Sequence, residues 1–128
     1  MKMAKKIITL LLFLLMLALA FIQYYYIKDS SKDLAALCSN AVDTAKNHNM
    51  KMAFTAATAL NDAWESQKAF YQALMEHSES DKISIAMQRA LSYAHQNDET
   101  QFLAEMNTLI FLLQHIHEID SLSFENIL

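Results

Sequence analysis

The chain begins with an unbroken apolar run and then changes to a broken, periodic pattern. Ile7 to Ile27 is 21 residues without a charge, and Thr9 and Gln23 are its only strongly polar members. At 1.5 Å per residue a helix of that length covers roughly 31 Å, which matches the hydrocarbon core of a bilayer. Beyond it, apolar residues recur every three or four positions, the spacing of amphipathic helices. The first predicted helix runs from about Lys32 to Lys46, with Leu34, Leu37, Cys38, Ala41, Val42 and Ala45 on one face. Only Asp29-Ser30-Ser31 suggests a break from the apolar run, so whether this helix continues the span is left open. A second spans about Met50 to Glu76 with a stripe of Ala57, Leu60, Trp64, Tyr71, Leu74 and Met75. A third runs from about Asp81 to His95, capped by Ser80, with Ile83, Met87, Ala90, Leu91 and Ala94 inward. The fourth, about Asp98 to Glu118, carries Phe102, Met106, Leu109, Ile110, Leu113 and Ile116. Phe111 and Leu112 lie off that stripe, so this helix is apolar on more than one side.

The predicted fold class is therefore all-α: an N-terminal transmembrane helix followed by a small antiparallel bundle of about four helices. Residues 1–6 form a basic flank, 7–27 the span or uncleaved signal anchor, 28–120 the bundle and 121–128 an apolar tail. Short turns are expected at "NHNM", "HSESD" and "HQND". In the tail, Leu122, Phe124, Ile127 and Leu128 either fold back onto the bundle or form an exposed docking peptide.

Composition reinforces the helical reading. The chain has no glycine and no proline, where average usage supplies roughly fifteen of the two together. Hairpin turns, phosphate-binding loops and dinucleotide fingerprints all need glycine, so these classes are excluded. Lys2, Lys5 and Lys6 precede the span with no acid among them, whereas Lys28 and Lys32 stand beside Asp29 and Asp33. Basic-flank counting puts the amino terminus in the cytoplasm and the remainder outside. Tyr24, Tyr25 and Tyr26 close the span with rings suited to the headgroup level. A signal peptidase would read Ala18-Leu19-Ala20, but the apolar run continues past it, which favours an uncleaved anchor. Residues 29–128 hold six basic and fourteen acidic side chains, net −8. That balance disfavours nucleic acid as a partner. Cys38 sits on an apolar face and reads as a packing residue, while a disulfide-linked homodimer remains open.

The candidate chemistry lies in the histidines. His48, His77 and His95 follow the predicted first, second and third helices, and His115 and His117 lie in the last turns of the fourth. Imidazoles there bond terminal carbonyls. Asn49 and Asn97 are the expected left-handed exits. His77, Glu79, Ser80 and His95 are thus read as structural helix-end residues. His77 closes one helix, and Ser80 and Asp81 open the next. A base-and-acid pair of His77 with Glu76 or Glu79 lacks a nucleophile or an oxyanion-binding loop. Metal ligation needs His at i and i+4, or Glu-x-x-His, and neither occurs. No cofactor is expected. Trp64, Tyr71 and Leu113 are read as core.

The ordered set of a basic start, one hydrophobic helix, Trp64, His77-x-Glu79 followed by Ile83, a leucine-rich last helix and Leu122-Ser123-Phe124-Glu125-Asn126 resembles a family of small bacterial proteins, domain of unknown function 4363. The resemblance covers most of the chain. It implies membrane placement and a helical fold, and carries no catalytic residues over.

Together these readings predict a non-enzymatic, membrane-anchored extracytoplasmic interaction module of the bacterial cell membrane. Its expected partner is another membrane or envelope protein, bound through Phe111, Leu112, Phe124, Ile127 and Leu128. The alternative is a small-ligand or metal-binding receptor walled by His115, His117, Glu118 and Trp64.

Overall fold

A computed structural model describes the chain through residue 125, with side chains through Ile116. The described residues form four α-helices and no strand: α1 (Lys2–Lys46), α2 (Met50–Leu74), α3 (His77–His95) and α4 (Glu99–Glu125). α1 packs on α2 and α4, and α3 packs on the same two. The result is an up-down-up-down ring of antiparallel neighbours, the arrangement short connections favour.

α1 passes through Asp29-Ser30-Ser31 without a break. Both serines are buried and hydrogen-bonded: Ser31 Oγ donates to the Lys28 carbonyl at 3.1 Å, and Ser30 Oγ donates to Gln67 Oε1. Satisfied hydroxyls take nothing from the helix, and no glycine or proline is present to stop it. Apolar stem and first bundle helix are one rod.

The two connections at the far end of the bundle use one device. His48 N–H bonds the Ala45 carbonyl and Asn49 N–H the Thr44 carbonyl. Asn97 and Asp98 repeat this with Ala94 and Tyr93. His48 (φ 59°) and Asn97 (φ 58°) are left-handed, which makes both exits Schellman motifs. The residue after each then caps the next helix. Asn49 Oδ1 accepts from Met52 N–H at 3.1 Å, and Asp98 Oδ1 from Gln101 N–H at 3.2 Å. Asn97 was the expected left-handed residue. At the first turn His48 takes that conformation instead of Asn49, because Asn49 is the better N-cap. His48 Nδ1 also donates to Glu99 Oε2 at 3.0 Å and ties the two turns together.

The connection at the other end differs from the reading of "HSESD". α2 stops at Leu74, Met75 is extended, and Glu76 (φ −62°, ψ 137°) precedes a helix that already includes His77. His77 therefore opens α3 rather than closing α2, and Ser80 lies within the first turn rather than capping it. Ser80 is fully buried, and its hydroxyl donates to the His77 carbonyl at 2.9 Å. Starting α3 early tucks Ser80 under the bundle, which a cap position would leave exposed. α4 likewise continues to Glu125, through residues assigned to a separate tail. Asp120-Ser121 alone does not end a helix.

The core follows the periodic stripes. Leu34, Cys38, Trp64, Tyr71, Phe102, Met106, Leu109 and Leu113 are wholly buried. The Trp64 and Tyr71 rings lie 5.2 Å apart, and Trp64 Nε1–H donates to Ser84 Oγ at 2.9 Å. Tyr71 OH donates to Ser30 Oγ at 2.7 Å. Burial pushes the Tyr71 phenol above its ordinary value, partly opposed by that hydrogen bond. Burial also raises the Cys38 thiol to about 12.

Candidate functional site

α4 buries one stripe against the bundle and leaves a second apolar edge uncovered. Phe102, Met106, Leu109, Leu113 and Ile116 are at most 4% exposed, while Phe111 is 58% exposed. Leu112 is half-buried beside it. These two residues form one wall of a groove whose other wall is the first two turns of α3, Glu79, Lys82 and Ile83, with His115 and Ile116 completing it.

The groove is apolar along its floor and charged at one lip. Lys82 Nζ lies 2.7 Å from Glu79 Oε1, an i,i+3 pair on α3. Being exposed, the pair adds little stability, but it fixes a paired charge beside an apolar strip. Across from it, His115 Nδ1 donates to the Phe111 carbonyl at 2.8 Å, and the two rings lie 4.1 Å apart at 31°. Packing of the imidazole on the ring restricts the Phe111 rotamers. His115 thus lies inside α4, ten residues before its end, and not in a last turn.

The structure brings some predicted residues together and leaves others apart. Phe111, Leu112 and Glu79 share the groove. His77 and Ser80 stand at the start of α3, and His95 ends it, its ring 5.8 Å from that of Phe54 at the far end. Phe124 belongs to α4 by its backbone, but its side chain lies outside the described residues, as do Ile127 and Leu128. Of the proposed receptor wall, His117 and Glu118 have side chains outside the described residues. Trp64 is sealed in the core with Ser84 and does not line the groove that holds His115. Among the described residues, no three of His, Cys, Asp or Glu converge. Cys38 is fully buried, so a disulfide to another copy requires the bundle to open.

The α3 wall was not among the candidate partner-binding residues. Its signal was the Glu79–Lys82 spacing on a helix that already carried Ile83, which becomes readable once α3 begins at His77. Ile85 and Met52, 51% and 60% exposed, are further apolar side chains outside the core. They stand away from the groove lining.

Residues 21–127 match the family model described as Domain of unknown function (DUF4363). The match covers most of the chain, and the protein belongs to that family. No curated protein and no solved structure matches it.

Proposed function

We propose that this family member is a non-enzymatic, membrane-anchored helical module, held outside the cytoplasm, that docks onto another membrane or envelope protein through the α3–α4 groove. The exposure of Phe111 carries this reading. It is a large aromatic side chain, 58% exposed, on a helix whose other face already fills the core. Exposed aromatics bordering an apolar strip with a polar rim are the usual anchors of protein interfaces. The anchor rests on α1, whose amino-terminal part is long and apolar enough to cross a membrane and is not covered by the bundle. Orientation rests on basic-flank counting, with Lys2, Lys5 and Lys6 before the span and Lys28 and Lys32, beside Asp29 and Asp33, after it.

The test is site-specific photocrosslinking in cells, with benzoylphenylalanine at position 111 and, for comparison, at the exposed far-end position Asn47. A discrete adduct to one membrane or envelope protein at position 111, missing at 47, is expected. Identical adduct patterns at both positions would sink the docking reading. For orientation, protease added to intact cells is expected to remove residues beyond the span.

A further inference from the structure

Because α1 is one continuous helix, every residue of the bundle has a height measured along the membrane stem, at 1.5 Å per residue. Three contacts set the scale near the bundle's base. The Phe70 ring lies 4.3 Å from that of Tyr26, and Tyr71 and Gln67 both bond Ser30. α2 runs antiparallel to α1 and continues past these residues to Leu74 and Met75. Counting down from the Phe70–Tyr26 contact puts Met75 level with Phe21. Counting from the Tyr71–Ser30 bond puts it level with Tyr26. Burial on α1 agrees: Ile27 is 2% exposed and Tyr24 is half-buried, while Ile22 and Phe21 are open at 65% and 56%. The bundle therefore reaches down beside the last turns of the apolar run.

This placement conflicts with a hydrocarbon region that extends to Ile27. The α2–α3 turn at that level carries Glu76, His77 and Ser78, all exposed. A carboxylate and exposed polar groups facing lipid tails are strongly disfavoured. The stem can give up those turns. The uncharged stretch left to the core, Ile7–Ala20, is 14 residues, about 21 Å of helix; a core of about 30 Å is met by local thinning of the bilayer and by Lys5 and Lys6 reaching outward to the interface. The family match starts at Phe21, at the lower limit of the same floor.

We infer that the bundle stands directly on the bilayer, with the hydrocarbon boundary near Phe21 and with Tyr25, Tyr26, Phe70, Met75 and the Glu76–Ser78 turn at the headgroup level of the lipid surface. Tyr25 and Tyr26 are 58% and 45% exposed. Amphipathic rings are stabilised there, while the charged turn meets water and headgroups rather than tails. The consequence for docking is a fixed height. The groove between the start of α3 and α4 lies in the half of the bundle nearest the membrane, where a membrane-embedded partner emerges.

The inference rests on the anchor reading, and one experiment separates them. The full chain is reconstituted into phosphatidylcholine vesicles that carry a nitroxide on the headgroup or deep in the acyl chain. A fluorophore is attached through Ser78→Cys or Asn47→Cys, both exposed positions. Cys38 stays in place because it is fully buried, and the unsubstituted chain serves as the unlabelled control. The Ser78 probe is expected to be quenched several-fold more by the headgroup nitroxide than the Asn47 probe, and more than by the acyl nitroxide. Equal quenching at both positions overturns the inference but leaves the anchor standing, as does stronger quenching of the Ser78 probe by the deep nitroxide. A chain that fails to float with the vesicles overturns both.

Discussion

Leu11 and Leu34 are the same side chain on the same helix, yet Leu11 is 60% exposed and Leu34 is not exposed at all. The difference lies in what surrounds them. From Ile7 to Ala20 the helix is apolar all round and largely uncovered by the described bundle; on the proposed anchor reading, lipid is the medium that removes those side chains from water. Above Ile27 the apolar residues contract to one stripe, Leu34, Cys38, Ala41, Val42 and Ala45, and α2 and α4 cover it. The small residues of that stripe let the neighbouring helices approach closely. One rod thus carries two different apolar surfaces, one all round and uncovered, the other a stripe covered by its neighbours. The polar link between Ser30, Tyr71 and Gln67 lies just inside the second of them.

Truncation tests that contrast most directly. Leu34→Ala is expected to cost the bundle about 2–5 kcal/mol, the range for a buried leucine that leaves a cavity. Leu11→Ala should leave bundle unfolding within about 0.5 kcal/mol. Denaturant unfolding of both variants in detergent, followed by helical circular dichroism, measures it, and equal losses would mean the two halves share one core. The reverse substitution sharpens the point. Leu12→Arg should hinder membrane insertion by about 2.5–3.5 kcal/mol and leave bundle unfolding unchanged.

Alkaline pH should come next in size and act only on the upper half. The Cys38 thiol is raised from 9.0 to about 12 by burial, and the Tyr71 phenol moves in the same direction. The folded state holds these protons more tightly than the unfolded chain. Their contribution to stability is therefore intact below about pH 9 and falls progressively as pH rises toward about 12. Cys38→Ala should flatten the decline of the unfolding midpoint across that window. An unaltered slope would show that the thiol is not linked to folding.

The smallest effect belongs to the far turns. Asn97 holds φ 58°, a conformation that costs most residues with a Cβ about 1–2 kcal/mol and asparagine less. Asn97→Gly should stabilise the bundle by up to about 1 kcal/mol, since glycine's greater freedom when unfolded offsets part of the gain. The same replacement at Glu76, which has negative φ, should give no gain. Thermal unfolding of both variants tests whether the Schellman turns differ in kind from the basal turn.

Most of the fold was legible in the chain because its signals are local and mutually consistent. The absence of glycine and proline, the apolar run and the three- and four-residue stripes each specify a helix without reference to any neighbour. The core stripes were read nearly completely. Leu37, Leu74, Leu91 and Ile110 are only half-buried because they lie at the edges of their stripes, and so is Met75, which falls just past the end of α2. The ends of helices were less legible. Ser80 resembles a cap in isolation, but the bundle gains more by burying it with its hydroxyl bonded to the His77 carbonyl. His48 rather than Asn49 is the left-handed exit because one residue cannot be both that exit and the cap of the following helix. The groove was half legible. Phe111 and Leu112 stand out against the α4 stripe, but the facing wall depends on where α3 starts.

By itself, then, the sequence determined the all-helical class, the apolar stem, the buried stripes and the surplus apolar edge of α4, because each follows from side-chain pattern along a single helix. Tertiary structure alone decided that stem and bundle form one rod and that α3 begins at His77. It also decided that Phe111 faces a charged pair across a groove. Those outcomes turn on which buried hydroxyls find acceptors and which helices lie side by side, and such pairings join residues far apart in the chain.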